Sequence, residues 1–401
     1  MKKHSLRILV LTTTFPRYKN DYTPSFVLEL SKEIKNKGHK IIVLAPHHKG
    51  AKLFEIMEGI EVFRFPYFLP TGLQRLCYEG GIMRNIKKSL LAKVQVPFFF
   101  VSYFYFVYKI IKKYKIDVIH SHWIIPSGFI GAFFKKIFKI KHITTAHAID
   151  IYTLEKLPFR RTLIQFIYKN CEFLVCVSSV LKEKIIKILK EKNSTPKDKI
   201  IIKPMGTDIK FIDKKDKKDD KFYLLFLGRF VEKKGIEYLI EAMKEIKKEN
   251  RNIKLLIGGS GPLEKKIKDK VEELNLTDCI EFLGWVPREK IHEVFKIADL
   301  LVVPSIVTET GDTEGMPTVI IEAMGAGVPV IATDVGGVKD VIRNYENGII
   351  INQKNPLEIK EKSLEVYKNE RLRKKIIHNA KLTAQNFTWD KIADFYIKLF
   401  L

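Results

Sequence analysis

Acidic residues are scarce in this 401-residue chain: 46 Asp and Glu stand against 71 Lys and Arg, a formal net charge of +25. Such an imbalance favours polyanionic partners, either nucleic acid or anionic lipid. No helix-turn-helix, RNP or zinc-finger pattern is present, which argues against nucleic acid. Cysteine is scarcer still. Cys77, Cys171, Cys176 and Cys279 form no CxxC pair and join no histidine at zinc spacing, so a disulfide scaffold and a structural metal site are both excluded. They read as small buried apolar residues. His120-Ser121-His122 has no carboxylate beside it and is read as structural rather than metal-binding. No uncharged run reaches the roughly 18 residues of a membrane-spanning helix. Arg7 and Pro16 interrupt the apolar N-terminal run, so Arg7–Thr13 reads as a buried first strand of a protein that is not exported.

What is present is alternation. Short apolar runs at Arg7–Thr13, Lys40–Ala45, Ile60–Phe65, Val118–His120, His142–Thr145 and Phe173–Val177 are separated by helical patterns. Runs of this kind predict parallel strands buried on both faces. After the charged stretch Asp213–Lys221 the alternation restarts, with strands at Phe222–Leu227, Lys254–Ile257, Ile280–Leu283, Leu300–Val303 and Val328–Thr333. Helices are expected at Ile236–Lys247, Leu263–Glu273, Glu289–Ala298 and Pro317–Met324. The fold class is therefore α/β, with two Rossmann-like doubly wound domains across a central cleft. The expected divisions are 1–204, an acceptor-binding domain; 205–385, a nucleotide-sugar-binding domain with the 213–221 linker as its boundary; and 386–401, a helix returning to the first domain.

Charge is unevenly spread. Between Arg75 and Lys115 nine cations accompany the single acid Glu79, and they frame the aromatic segment 96–108, VPFFFVSYFYFVY. Rings that enter a headgroup layer beside lysines that meet lipid phosphates describe an interfacial helix, so segment 75–115 is expected to touch an anionic membrane surface. A buried core helix with a basic outer face is the competing reading.

Three segments carry chemistry. In Thr313–Ala323 (TEGMPTVIIEA), Glu314 and Glu322 have seven residues between them. Pro317 suits the first helical position, leaving the N–H groups of Thr318 and Val319 open for an anion such as a diphosphate. Gly311, Gly315, Gly325 and Gly327 lower the bulk where a ligand must approach. In Gly228–Gly235 (GRFVEKKG), Arg229 offers a planar fork and Lys234 a point charge for phosphate oxygens. The turn Gly258-Gly259-Ser260-Gly261-Pro262 is a weaker glycine-rich signal for close approach to a nucleotide. In the first half, His147 and Asp150 could act as a base and its orienter.

The set GRFVEKKG, GGSGP, FLGWVP, ADLLVVPS and EGMPTVIIEAMGAGVPVIAT resembles glycosyltransferase family 4, of GT-B fold, as do the looser N-terminal elements FPRYKNDYTPSFV, HSHWIIPSGF, TTAHAID and KPMGTD. The closest likeness is to the subgroup that builds exopolysaccharides and lipid-linked glycans. The resemblance implies retaining transfer of a sugar from a UDP- or GDP-sugar to a lipid-linked or glycan acceptor, without cofactor or metal. It implies that Arg229 and Lys234 hold the donor diphosphate, that Glu322 binds the ribose, and that Glu314 and His147 contact the transferred sugar. Gly315, Met316, Thr318, Val319, Gly259 and Gly261 would line the nucleotide, with backbone near Val286 facing the base. The first loop, Tyr22-Thr23-Pro24-Ser25, departs from the glycine pair of many relatives. The implied location is cytoplasmic, at the inner face of the cell membrane. A nucleotide-sugar epimerase of the same architecture and a non-catalytic polyanion-binding protein are the alternatives; the first has no use for the basic–aromatic segment and lacks the glutamate motif.

Overall fold

The computed structural model describes residues 5–18, 21, 23, 25–190, 199–212 and 219–401. Expectations for Tyr22, Pro24 and most of the charged 213–221 run lie outside the described residues. The chain divides into two compact units, Met1–Met205 with Trp389–Leu401, and Gly206–Thr388. The division thus falls between Met205 and Gly206, ahead of the expected 213–221 boundary. Thr207, on the second unit's side of the division, bridges to Thr388 at the unit's other end.

In the first unit the strands are β1 (Arg7–Leu11), β2 (Lys40–Pro46), β3 (Phe54–Met57), β4 (Ile60–Phe65), β5 (Val118–His122), β6 (Lys141–Ala146), β7 (Phe173–Cys176) and β8 (Ile200–Ile202). They form one sheet in the order β3-β4-β2-β1-β5-β6-β7-β8, parallel throughout except for β3 against β4. Runs such as Ile8–Leu11 and Ile41–Pro46 are buried without alternation, because helices cover both faces. Those helices are α1 (Phe26–Asn36), α2 (Ile82–Lys88), α3 (Leu90–Tyr114), α4 (Phe129–Phe138), α5 (Ala148–Glu155), α6 (Arg160–Lys169) and α7 (Ser179–Lys190).

The second unit carries β9 (Phe222–Leu227), α8 (Ile236–Glu249), β10 (Ile253–Gly258), α9 (Glu264–Glu273), β11 (Ile280–Gly284), α10 (Ile291–Ile297), β12 (Leu300–Val303), α11 (Thr318–Gly325), β13 (Val330–Thr333), β14 (Ile349–Ile351), α12 (Pro356–Lys368) and α13 (Glu370–Ala384). Its sheet is wholly parallel, in the order β11-β10-β9-β12-β13-β14. From β9 the chain winds first towards β10 and later, through β12, in the opposite direction. The β9–β12 pair is thus the switch point, where neighbouring connections leave to opposite sides and open a crevice beyond the strand ends. The last helix, α14 (Trp389–Phe400), belongs to the first unit and packs on α1.

Candidate active site

The loops beyond the carboxyl ends of β9 and β12 bring together charged residues of the two motifs, Lys233 and Lys234 with Asp312 and Glu314. Beyond β9 the chain passes through Gly228 and the exposed Arg229, buries Phe230, makes one short turn over Glu232–Lys234, and enters α8 through Gly235 at φ +62°. That turn is held close to the loop after β12: the Ile306 N–H donates to the Lys233 carbonyl at 2.9 Å, and a Cβ on Gly235 would lie 1.9 Å from the Pro304 oxygen. Only glycine satisfies both the left-handed backbone and this approach.

The proximity brings opposite charges together. Lys234 Nζ lies 3.4 Å from Glu314 Oε2, and Lys233 Nζ lies 3.2 Å from Asp312 Oδ1. Lys234 and Glu314 are largely withdrawn from solvent, with side-chain exposures of 16% and 13%. Glu314 Oε1 is buried and accepts no hydrogen bond, and the hydroxyls of Thr313 and Ser305 are likewise buried without partners. A desolvated carboxylate oxygen left open costs free energy, and a ligand hydroxyl donating to it would recover that cost.

Glu322 stands in the second turn of α11. Side chains on a helix lean towards its N-terminus, and the carboxylate reaches Thr318 and accepts a 2.5 Å hydrogen bond from the Thr207 hydroxyl. Burial raises its pKa, opposed by the Thr207 hydrogen bond and by the charge of Arg288, which itself pairs with Asp208 at 3.0 Å. Thr207 and Asp208 come from the KPMGTD element, and Thr207 is the residue that composition and spacing alone passed over. Its signal was a hydroxyl one position before an acid, at the entry to the second unit.

Pro317 does not begin α11. It is extended, with ψ 107°, and caps the helix through its carbonyl, which accepts from the Ile320 N–H at 3.2 Å. The preceding loop is committed elsewhere, since the Gly315 carbonyl accepts from Gly337 N–H at 2.6 Å and Gly336 packs against the backbone of Glu314 and Gly315. Helix formation therefore waits for Thr318, which is exposed, while Met316 and Val319 are half-buried. The N–H groups of Thr318 and Val319 belong to the first turn, whose donors no helical carbonyl can reach.

Several glycines have causes within the fold. Gly259, at φ +141°, faces the Gly228 oxygen so closely that a Cβ would sit 1.9 Å away, and its N–H is spent on the Gly284 carbonyl. Gly261 abuts the Phe230 backbone. The turn after β10 is glycine-rich because it nests on the turn after β9. Gly325 is small for Ile209, Gly327 turns the chain beyond α11 at φ +71°, and Gly311 sits at φ +79° in an open loop. Val286 is half-buried, follows the exposed Trp285, and touches the end of β10 at Gly258.

In the first unit, His147 follows β6 and packs among aromatic rings, with Phe26 at 5.0 Å and Trp123 at 4.9 Å. Its Nε2 shares a 3.2 Å hydrogen bond with His122 Nδ1. Burial lowers the pKa of His147 to about 3, so the ring is neutral. The base-and-orienter pairing with Asp150 is not formed. The Asp150 carboxylate instead accepts from the N–H groups of Ile124 at 2.6 Å and Ile151 at 3.0 Å, holding the bend after β5. Burial raises its pKa to about 7. His120 is drawn inward by Thr145 at 3.0 Å. Tyr22 and Pro24 of the first loop lie outside the described residues; Thr23 donates to Asp21, which pairs with Arg17 at 2.8 Å.

Comparison with known proteins bears on the family and the fold. Residues 24–211 match the model of Glycosyltransferase Family 4, and residues 208–383 that of Glycosyl transferases group 1. An uncharacterized glycosyltransferase of Methanocaldococcus jannaschii is 34% identical over 295 residues, covering 73% of this chain and 78% of that one. The amylovoran biosynthesis glycosyltransferase of Erwinia amylovora is 27% identical over 320 residues, 78% of this chain and 73% of that one. Among solved structures, sucrose-phosphate synthase from Thermosynechococcus elongatus superposes with a TM-score of 0.74 at 21% identity, covering 98% and 99% of the two chains. Anabaena HepE in complex with UDP gives 0.70 at 16% identity, with the same coverage. With both units built as Rossmann-like parallel sheets and the charged motifs gathered at a strand switch point, this chain belongs to glycosyltransferase family 4 and has the GT-B fold.

Proposed function

We propose that the protein is a retaining hexosyltransferase that takes its sugar from a nucleotide-sugar donor, UDP- or GDP-linked, and gives it to a lipid-linked glycan at the cytoplasmic face of a membrane. The observation that carries this reading is the Glu314 carboxylate: one oxygen meets Lys234, and the other is buried with an open lone pair at the mouth of β9 and β12. Lys234 and Arg229 supply the positive charge for a diphosphate, and the first-turn N–H groups of Thr318 and Val319 supply donors. Glu322, steadied by Thr207, accepts from the ribose hydroxyls. A hydroxyl of the transferred sugar donates to Glu314 Oε1, with Gly315 and Met316 passing beside it. Backbone near Val286 faces the base. In the first unit, the neutral ring of His147 offers a hydrogen bond to a sugar hydroxyl. That the structurally similar HepE has been seen with UDP and with UDP-glucose supports a uridine donor.

In this mechanism the bond between the anomeric carbon and the diphosphate oxygen breaks. The charge left on that oxygen is met by Arg229 and Lys234, and a phosphate oxygen takes the proton of the acceptor hydroxyl attacking on the same face. Fixed cations fill the place a divalent metal would take, so a chelator should leave turnover unchanged. A relation to polysaccharide assembly is supported by the amylovoran and colanic acid relatives.

The direct test is thermal unfolding in the presence of UDP, GDP, ADP and their sugars, since a ligand stabilises by RT ln(1 + [L]/Kd). We expect UDP or GDP to raise Tm. The matching sugar nucleotide should transfer label into membrane lipid extract. Stabilisation by none of them would sink the donor assignment, and release of an epimer without acceptor would make the protein an isomerase.

A further inference from the structure

We propose that α3 and α4 together form a membrane-docking face that lies in the plane of an anionic lipid surface, inserting an apolar stripe rather than crossing the bilayer. By length and composition α3 is the one helix among the described residues able to span a membrane. Its inner side forbids that. Phe99 packs edge-on against Phe65, Tyr103 stacks on Phe65 at 4.4 Å and donates to Ser127, and the buried Gln95 is bonded to Leu73 and Arg75. Withdrawing the helix into lipid would open the core of the first unit.

The opposite side has no such partners. Leu90, Val94, Phe98, Val101, Tyr105 and Tyr108 are each at least 48% exposed, Leu90 reaching 77% and Val101 70%. At about 100° per residue these six positions fall within an arc of roughly 80°, a single stripe along a helix of about 37 Å. The stripe widens onto α4, where Phe133 and Ile137 are exposed on one face and the Phe133 ring meets Phe104 at 4.9 Å. A contiguous apolar surface of this kind marks an interaction site.

Charge identifies what covers it. No Asp or Glu occurs from Gly80 to Ile116, nor from Val118 to Ile149. The exposed lysines Lys93, Lys109, Lys112, Lys136 and Lys139 border the stripe. Lys109 and Lys112 lie over the rings of Tyr105 and Tyr108 at 5.9 and 5.8 Å, so each cation sits beside the ring that would enter the headgroup layer. A second copy of this chain meeting the same face would set these lysines against each other. A bilayer bearing negative headgroups satisfies both the apolar and the cationic features.

Sedimentation of the full-length protein with vesicles tests this. Vesicles of equal phosphatidylcholine and phosphatidylglycerol should bind it at low salt, with phosphatidylcholine alone binding at least tenfold more weakly. Val101→Asp combined with Ile137→Asp should reduce binding tenfold or more. Lys109→Glu with Lys112→Glu should reduce binding to the mixed vesicles and abolish its salt dependence. Circular dichroism should show both variants folded, as expected at exposed positions. Equal binding by wild type and folded variants would overturn the proposal, as would no binding of the wild type to anionic vesicles. So would a concentration-dependent dimer abolished by the Val101 and Ile137 changes, which would give the face to a second copy. Because donor binding is read separately by thermal shift, loss of vesicle binding leaves the transferase reading intact.

Discussion

At the scale of single residues, the proposed donor site gives its most shielded positive charge to Lys234. It is largely shielded from water and anchored on a carboxylate whose second oxygen is open, so its charge acts in a medium of low polarity. Replacing Lys234 with alanine should lower kcat by about 10²–10³, the loss typical of one oriented partner for developing charge. Unchanged turnover at saturating donor would remove the role. Four of the buried histidines of the first unit, His120, His122, His142 and His147, make a different statement. Burial depresses His120 and His147 to about 3 and His142 to about 4, and depresses His122 as well, against an ordinary value of 6.5. As pH falls below 6.5 the unfolded chain takes up protons that the folded chain refuses, so stability falls through the window from 6.5 towards 4. Asp150 acts oppositely. Raised to about 7 from 3.8, it is protonated earlier in the folded state and gains stability over the same window. One carboxyl does not offset four imidazoles. Thermal unfolding followed from pH 7 to pH 5 should show Tm falling with acidity, and a flat profile would contradict the burial of these rings as neutral groups.

At the scale of elements, the two strand-end turns of the second unit are locked to each other by backbone contact. Gly235 combines a left-handed backbone with a Cβ position occupied by the Pro304 carbonyl. Gly235→Ala should destabilise the protein by about 2–4 kcal/mol, through strain in both the turn and the loop after β12. It should also weaken donor binding, because Lys234 precedes the glycine directly. Urea unfolding checks the first effect and thermal shift with the nucleotide the second; an unaltered midpoint would mean the loop yields without cost. These elements were also the legible ones. Arg229, Lys234, Glu314 and Glu322 stand out because charge, glycine and proline cluster where apolar runs end, and the bounds of β4, β9 and β12 follow from uninterrupted apolar runs. The three-residue strands β8 and β14 and the antiparallel edge strand β3 carry too few residues to show a period. Helices α12 and α13 lie beyond the last motif and went unassigned. Glycines carry more than one signal: nothing in Gly-Gly-Ser-Gly-Pro distinguishes a turn nested on another turn from one opened for a phosphate. The extended conformation of Pro317 was hidden for the same reason, since Gly336 and Gly337, which hold its loop, lie about twenty residues downstream.

For the whole molecule, the chain begins and ends in the same unit. Helix α14 is sequentially remote from β1 but supplies Trp389, Ile392, Ala393, Tyr396 and Phe400 to the core of the first unit. The Tyr396 hydroxyl meets Thr145 at 2.9 Å, Lys141 donates to the Phe400 carbonyl, and Lys37 pairs with both Asp390 and Asp394 at 2.6 Å. The second unit, by contrast, is one continuous stretch with its own apolar core on both faces of its sheet. A unit with its own core can hold its fold when another is damaged. Ending the chain after Thr388 should therefore act on one unit only. Several fully buried side chains are lost at once, each worth about 2–5 kcal/mol on truncation, which together exceed the stability of an ordinary domain. Amide exchange read by mass spectrometry should show peptides from Met1–Met205 losing protection while those from Gly206–Thr388 keep it, together with any stabilisation by nucleotide. Loss of protection in both units would mean that neither core stands without the other. Retention in both would mean that the first unit's sheet is stable with its helix α1 uncovered, against the burial of Tyr396 and Ile392.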